Sequence, residues 1–225
     1  MASSTKRAII FGSTGLTGSY VLHEALIGDR YAEVICFNRR EMPVSDPRQR
    51  NIVTNYHDLD VYSALFTGAD IICCLGTTFK NVNNDREAYY EADVSRPLLA
   101  ARLAADHQAS SFSVQTAMGA NARSSIFYNR LKGELEEKLS ALPLNALYIF
   151  RPSLLTGPRK EQRSGEAIGK WVMNIMDPLL LGPFRKYRSI AAADVAKAMV
   201  KAALSGKPGK QVYLSDAIQK LADGK

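Results

Sequence analysis

The sequence predicts an α/β fold, a doubly wound parallel sheet with helices on both faces. Three observations predict it. Short apolar runs alternate with stretches of helical period along most of the chain. Those runs lack polar alternation, as expected of strands covered on both sides. The first run also ends in a turn rich in glycine.

Residues 8–11 form the first predicted strand, and Val21, Leu22, Ala25 and Leu26 then recur on one helical face. Strands follow at 34–37, 52–54 (a weaker run) and 71–75. A helix over 86–106 is expected to kink or split at Pro97, whose ring fixes φ and removes an amide donor. Residues 112–115 give the fifth strand, 125–139 a helix and 146–150 the sixth strand. A helix at 191–204, a last strand at 211–214 and a short tail complete the chain. The expected organisation is a single domain, 1–225, in which 157–190 closes as a lid or cap over the carboxyl ends of the strands, where open α/β sheets bind ligands.

Composition narrows the function classes. The chain has 225 residues, 46% apolar and 23% charged, as in an ordinary globular protein. A formal net charge of +7 suits an anionic ligand. No Lys/Arg-rich run interleaved with aromatics occurs, so nucleic acid is not the expected partner. His23, His57, His107, Cys36, Cys73 and Cys74 show no metal-ligand spacing, and no metal is expected. Three cysteines inside apolar runs suggest a reducing compartment. The apolar stretch 171–184 is broken by Asp177 and Pro178 and is short for a bilayer, so no membrane span is expected. With a polar start that lacks a leader pattern, the expected location is cytoplasmic.

The turn after the first strand reads Gly12-Ser13-Thr14-Gly15-Leu16-Thr17-Gly18. Glycines there allow a tight turn and close approach of backbone to a pyrophosphate, which the next helix faces with its amide end and positive dipole. This is the context of a Rossmann-like dinucleotide site, and no P-loop spacing competes with it. NAD-binding domains place an acid after the second strand, on the ribose 2′-hydroxyl. This chain has Arg39 and Arg40 instead. Guanidinium groups pair with a 2′-phosphate that an acid would repel, so NADP(H) is expected over NAD(H). The alternative is two solvated surface arginines.

Tyr128 and Lys132 stand four apart at the start of the helix after the fifth strand, on one face of that helix. A phenol is a poor acid–base group near neutrality, and a neighbouring ammonium stabilises its phenolate. Tyr128 is the expected proton donor or acceptor for a carbonyl/alcohol pair. Lys132 would support it and hold the nicotinamide ribose. A hydroxyl that polarises the carbonyl should come from the end of the fifth strand. Thr116, 12 residues before Tyr128, is the best-placed candidate.

Assembled, these residues resemble the atypical short-chain dehydrogenase/reductase superfamily and, within it, the Tat-interacting-protein-like oxidoreductases. The resemblance covers nearly the whole chain. Its marks are Gly12–Gly18, Arg39-Arg40, Cys73-Cys74-Leu75-Gly76-Thr77-Thr78, Phe127-Tyr128 to Lys132-Gly133-Glu134, Phe150-Arg151-Pro152 and Arg163-Ser164-Gly165-Glu166. It implies that Leu75, Gly76 and Thr77 pass the adenine ribose and that Pro152 and Ser153 flank the nicotinamide. It also implies an adenine contact after the third strand, at Asn55 by spacing, with Asp58-Leu59 as the alternative. Thr116 stands where family members often carry serine.

Two functions are therefore carried forward: an NADP(H)-dependent oxidoreductase acting on a small carbonyl or alcohol substrate, and an NADP(H)-binding regulatory or sensor protein without turnover. A nucleotide-sugar epimerase fits less well, because the segment after the sixth strand is short. Trp171, Met173, Met176, Leu179, Leu180 and Phe184 would suit an apolar or aromatic ligand or a homodimer interface, with core packing as the plain alternative.

Overall fold

The computed structural model of the chain describes residues 5–158, 180 and 182–225. The predicted lid at 157–190 and the side chains of Trp171, Met173, Met176 and Leu179 therefore lie mostly outside the described residues, as does Arg163 to Glu166.

Seven parallel strands make one sheet in the order β3-β2-β1-β4-β5-β6-β9: β1 (Arg7–Phe11), β2 (Glu33–Asn38), β3 (Gln49–Val53), β4 (Asp70–Cys73), β5 (Ser111–Gln115), β6 (Ala146–Arg151) and β9 (Gly209–Leu214). A second, two-stranded sheet pairs β7 (Leu155–Thr156) with β8 (Ile190–Ala191). The order reverses between β1 and β4, which opens a crevice beyond their carboxyl ends.

Side chains two apart share a face of a strand, and the register carries this rule across the sheet. Ile9 pairs with Ile35 and Ile71, and Phe112 with Leu147. These residues build one core, with Phe11 stacked on Phe37 at 5.1 Å. The helices α2 (Arg86–Tyr90), α3 (Arg96–Asp106) and α4 (Phe127–Ser140) cover that face. Ile10, Cys36, Ile72 and Tyr148 point the other way, against α1 (Leu16–Leu26), α5 (Ala192–Ser205) and α6 (Ser215–Asp223). Burying each large apolar side chain contributes roughly 1.5–3 kcal/mol, so both faces must stay covered. That explains the absence of polar alternation in the strands.

The predicted elements appear within a few residues of their expected bounds, with two differences. The long helix is interrupted just ahead of Pro97 rather than at it. Residues Glu91–Ser95 form a π turn, in which the Arg96 amide reaches back to the Glu91 carbonyl, and α3 resumes at Arg96 with Pro97 in its first turn. The tail is not a plain coil. It forms α6, which buries Ile218 and Ala222 against the second core.

At the amino end of the sheet, the buried Asp70 carboxylate accepts from Ser111 (2.8 Å), Tyr31 (3.1 Å) and Lys6 (3.3 Å). This cluster lies opposite the crevice.

Candidate functional site

The glycine turn is built by close backbone approach. Gly12 has φ +82°, and a Cβ there would stand 2.9 Å from the Cys74 carbonyl oxygen beyond β4. A Cβ on Gly18 would lie 2.0 Å from the Gly12 carbonyl oxygen. No L side chain fits either position without moving backbone. The Gly15 amide closes the turn on the Gly12 carbonyl (3.0 Å), and Gly15 caps α1 without a side-chain hydrogen bond. No acid stands in the first turn of α1. An uncapped amide end beside a backbone cradle fits a diphosphate. Ser13 and Thr17 are buried, and the Ser13 hydroxyl donates to the Asn38 side-chain oxygen at 2.8 Å, which ties the turn to the end of β2. Thr14 is exposed and Leu16 half-buried.

Beyond β2 and β3 lies a cavity of about 480 Å³, lined by Arg39, Val53, Thr54, Asn55, His57, Asp58 and Arg96. Arg39 and Asn55 are thus brought together as expected, and Asp58 joins them. Arg40 is exposed and outside this lining. Arg96 also lines the cavity; its guanidinium lies 5.5 Å from the centre of the Tyr56 ring and bonds Glu91 at 2.7 Å.

Leu75, Gly76 and Thr77 leave β4 toward α4. A Cβ on Gly76 would stand 3.9 Å from the Lys132 ammonium and 3.6 Å from the Asp93 carboxylate. Lys132 and Asp93 form an ion pair of 2.6 Å, their side chains 4% and 1% exposed. Burial is the largest single influence on the Lys132 ammonium and would lower it, but the charge and hydrogen bond of Asp93, together with Tyr128 and Cys73, outweigh burial and hold the group above ordinary lysine. The Lys132 nitrogen lies 5.9 Å from the centre of the Tyr128 ring. Tyr128 itself is 36% exposed.

Thr116 is drawn into a buried polar cluster. Its residue number shares the parity of Phe112 and Val114, so its side chain faces α4. There its hydroxyl donates to Glu136 at 2.6 Å, and it is 3% exposed. Glu136 also holds Arg151 in an ion pair. The hydroxyl expected to polarise a carbonyl is engaged in this buried cluster instead. Beside it, a cavity of about 580 Å³ is lined by Gly133, Glu136, Arg151 and Lys210 among others, and by neither Tyr128 nor Lys132.

Pro152 is buried, and its carbonyl accepts from the Met118 amide at 2.9 Å. Ser153 is fixed by Ser215, whose hydroxyl accepts from the Ser153 amide at 2.8 Å, and by the Arg188 carbonyl. Asp93, Glu136, Ser215 and Gly133 were not singled out from sequence for these roles. Asp93 carried a signal: it falls on the buried face of its helix, four residues after Tyr89 and seven before Ala100. Gly133 packs α4 onto the loop before it, since a Cβ there would lie 2.0 Å from the Ala122 amide nitrogen.

The strand order and the glycine turn at the switch point define a Rossmann-like doubly wound fold. No family model matches the chain. Individual relatives do. It is 29% identical over 215 residues to protein HTATIP2 of Rattus norvegicus, covering 94% of this chain and 86% of that protein. It is 30% identical over 159 residues to protein FMP52, mitochondrial, of Eremothecium gossypii, covering 70% of each. The chain belongs to this HTATIP2/FMP52 family. The fold also matches the Bordetella bronchiseptica enzyme WbmH, solved in complex with NAD+, with a TM-score of 0.69 at 17% identity over 98% of this chain and 80% of that one.

Proposed function

We propose that the protein is an NADP(H)-dependent oxidoreductase acting on a small carbonyl/alcohol pair. The observation that carries this reading is the proximity of two devices at one end of the sheet. The backbone cradle of Gly12 and Gly18 touches the strand-end segment at Cys74, and Lys132 touches the same segment at Gly76. A dinucleotide laid along that segment would have its diphosphate at α1 and its nicotinamide ribose at Lys132, with Pro152 and Ser153 beyond. Arg39, with Arg96 in the lining of the same cavity, would pair with a 2′-phosphate. WbmH holds NAD+ on a comparable fold, which supports a nicotinamide dinucleotide but not the choice of phosphate.

When bound in reduced form, the cofactor supplies a hydride to the carbonyl carbon. The Tyr128 hydroxyl delivers the proton to the carbonyl oxygen, and its exposure lets it recover a proton from solvent. Lys132, held by Asp93, presents its remaining N–H groups toward the ribose hydroxyls.

Fluorescence titration with NADPH and NADH tests the cofactor: NADPH should bind at least about tenfold tighter, since a charge-assisted bond contributes roughly 1.5–3 kcal/mol. Equal affinities would remove the role given to Arg39. An aldehyde and ketone panel tests turnover, which Tyr128→Phe should cut by about 10²–10⁴-fold with little change in cofactor affinity.

A second reading, an NADP(H)-responsive regulatory protein, draws on two observations. Asp93 neutralises Lys132, and the Thr116 hydroxyl is engaged with Glu136. Saturable NADPH binding without turnover on the panel would favour it. Cell fractionation would decide between the cytoplasmic location expected from sequence and the mitochondrial one in the fungal relative's name. Among the described residues no helix is long and apolar enough to cross a membrane.

A further inference from the structure

We propose that Asp93 is a positioning residue for this site: one buried carboxylate fixes the acid–base lysine and the cofactor-facing loop together. The inference rests on the Tyr128–Lys132 reading above and deepens it. One carboxylate oxygen meets Lys132 at 2.6 Å, and the other accepts from the Thr77 amide at 2.8 Å. Asp93 thereby joins α4 to the segment after β4. It stands in the π turn Glu91–Ser95, a departure from helical spacing of the kind that often accompanies function.

The charge balance gives the pairing a consequence. The groups facing Lys132 are Asp93 from the π turn, Tyr128 one turn back on α4, and Cys73 at the end of β4. Burial pushes the Cys73 thiol up to about 11, so it is neutral through the neutral range. Asp93 is therefore the carboxylate that keeps Lys132 charged at a depth where an isolated ammonium would shed its proton. The pair as a whole is neutral. Lys132 then acts less as a free cation upon Tyr128 than as a fixed donor of constant protonation.

Two measurements test this. In the ligand-free protein labelled with 15N-lysine, the Lys132 ammonium signal, assigned by Lys132→Arg, should persist beyond the ordinary lysine value of ~10.4. In Asp93→Asn it should titrate at least about one unit lower. NADPH affinity between pH 7 and 9.5 should be nearly flat for the wild type and fall about tenfold for Asp93→Asn, the equivalent of one unit. Parallel affinity profiles, or a wild-type Lys132 that titrates as an ordinary lysine, would overturn the proposal. The wild-type titration needs no variant, so a poorly folding Asp93→Asn leaves the test intact. A wild type that bound no dinucleotide would remove the proposed function, while the ligand-free titration would still support or overturn the role of Asp93.

Discussion

The two ends of the crevice are made of different material. The glycine-turn end, where a diphosphate is proposed to sit, is chiefly backbone: glycines at 12 and 18 bring main chain within contact of main chain. The other end, where the nicotinamide is proposed to sit, is side chains held by other side chains: Lys132 by Asp93 and Ser153 by Ser215. The first kind of site tolerates no added atom. The second tolerates exchange, provided that each buried polar group keeps a partner.

Breaking the cradle should have the largest effect. Gly18→Ala forces a methyl into the Gly12 carbonyl, and overpacking of this kind costs about 1–3 kcal/mol, with backbone contact placing it at the upper end. Denaturant unfolding should show that loss, and NADPH titration should show binding abolished. In the buried cluster on the α4 side, Thr116→Val should remove a charge-assisted bond of roughly 1.5–3 kcal/mol in stability while leaving any turnover within about twofold. A collapse of turnover at unchanged stability would restore Thr116 to the chemistry. Arg39→Ala sharpens the contrast on the phosphate side. It should weaken NADPH about tenfold and leave NADH unchanged, as for a charge-assisted bond to the 2′-phosphate.

The smallest effect is on pH. Lys132 has its folded value raised, so its contribution to stability is fully present below the unfolded lysine value of ~10.4 and is lost only as pH rises through the higher folded one. Unfolding midpoints should therefore carry an alkaline decline that Lys132→Met lacks. Identical slopes above pH 10 in the two proteins would contradict the pairing.

The parts legible in the sequence are those fixed by local geometry. Apolar strands, the Gly12–Gly18 turn and the four-residue spacing of Tyr128 and Lys132 each follow from rules of period and φ. Thr116 could have been read as well, because counting by twos from Phe112 and Val114 places it on the α4 face. The Lys132–Asp93 pair spans two helices, and no local pattern encodes that pairing. The acid on an apolar face was the visible trace of it. The π turn escaped because it lies inside an otherwise regular helical pattern; α6 carries a helical period in Ala217, Ile218, Leu221 and Ala222, but over only nine residues at the end of the chain.

The account rests most directly on where a dinucleotide sits. A crystal structure of the wild-type protein grown in excess NADPH should place the diphosphate against the amides of residues 12–18, the 2′-phosphate beside Arg39 and the nicotinamide ribose within hydrogen-bond reach of Lys132. A cofactor bound elsewhere, or lying across the α4 cavity of Glu136 and Arg151, would contradict it.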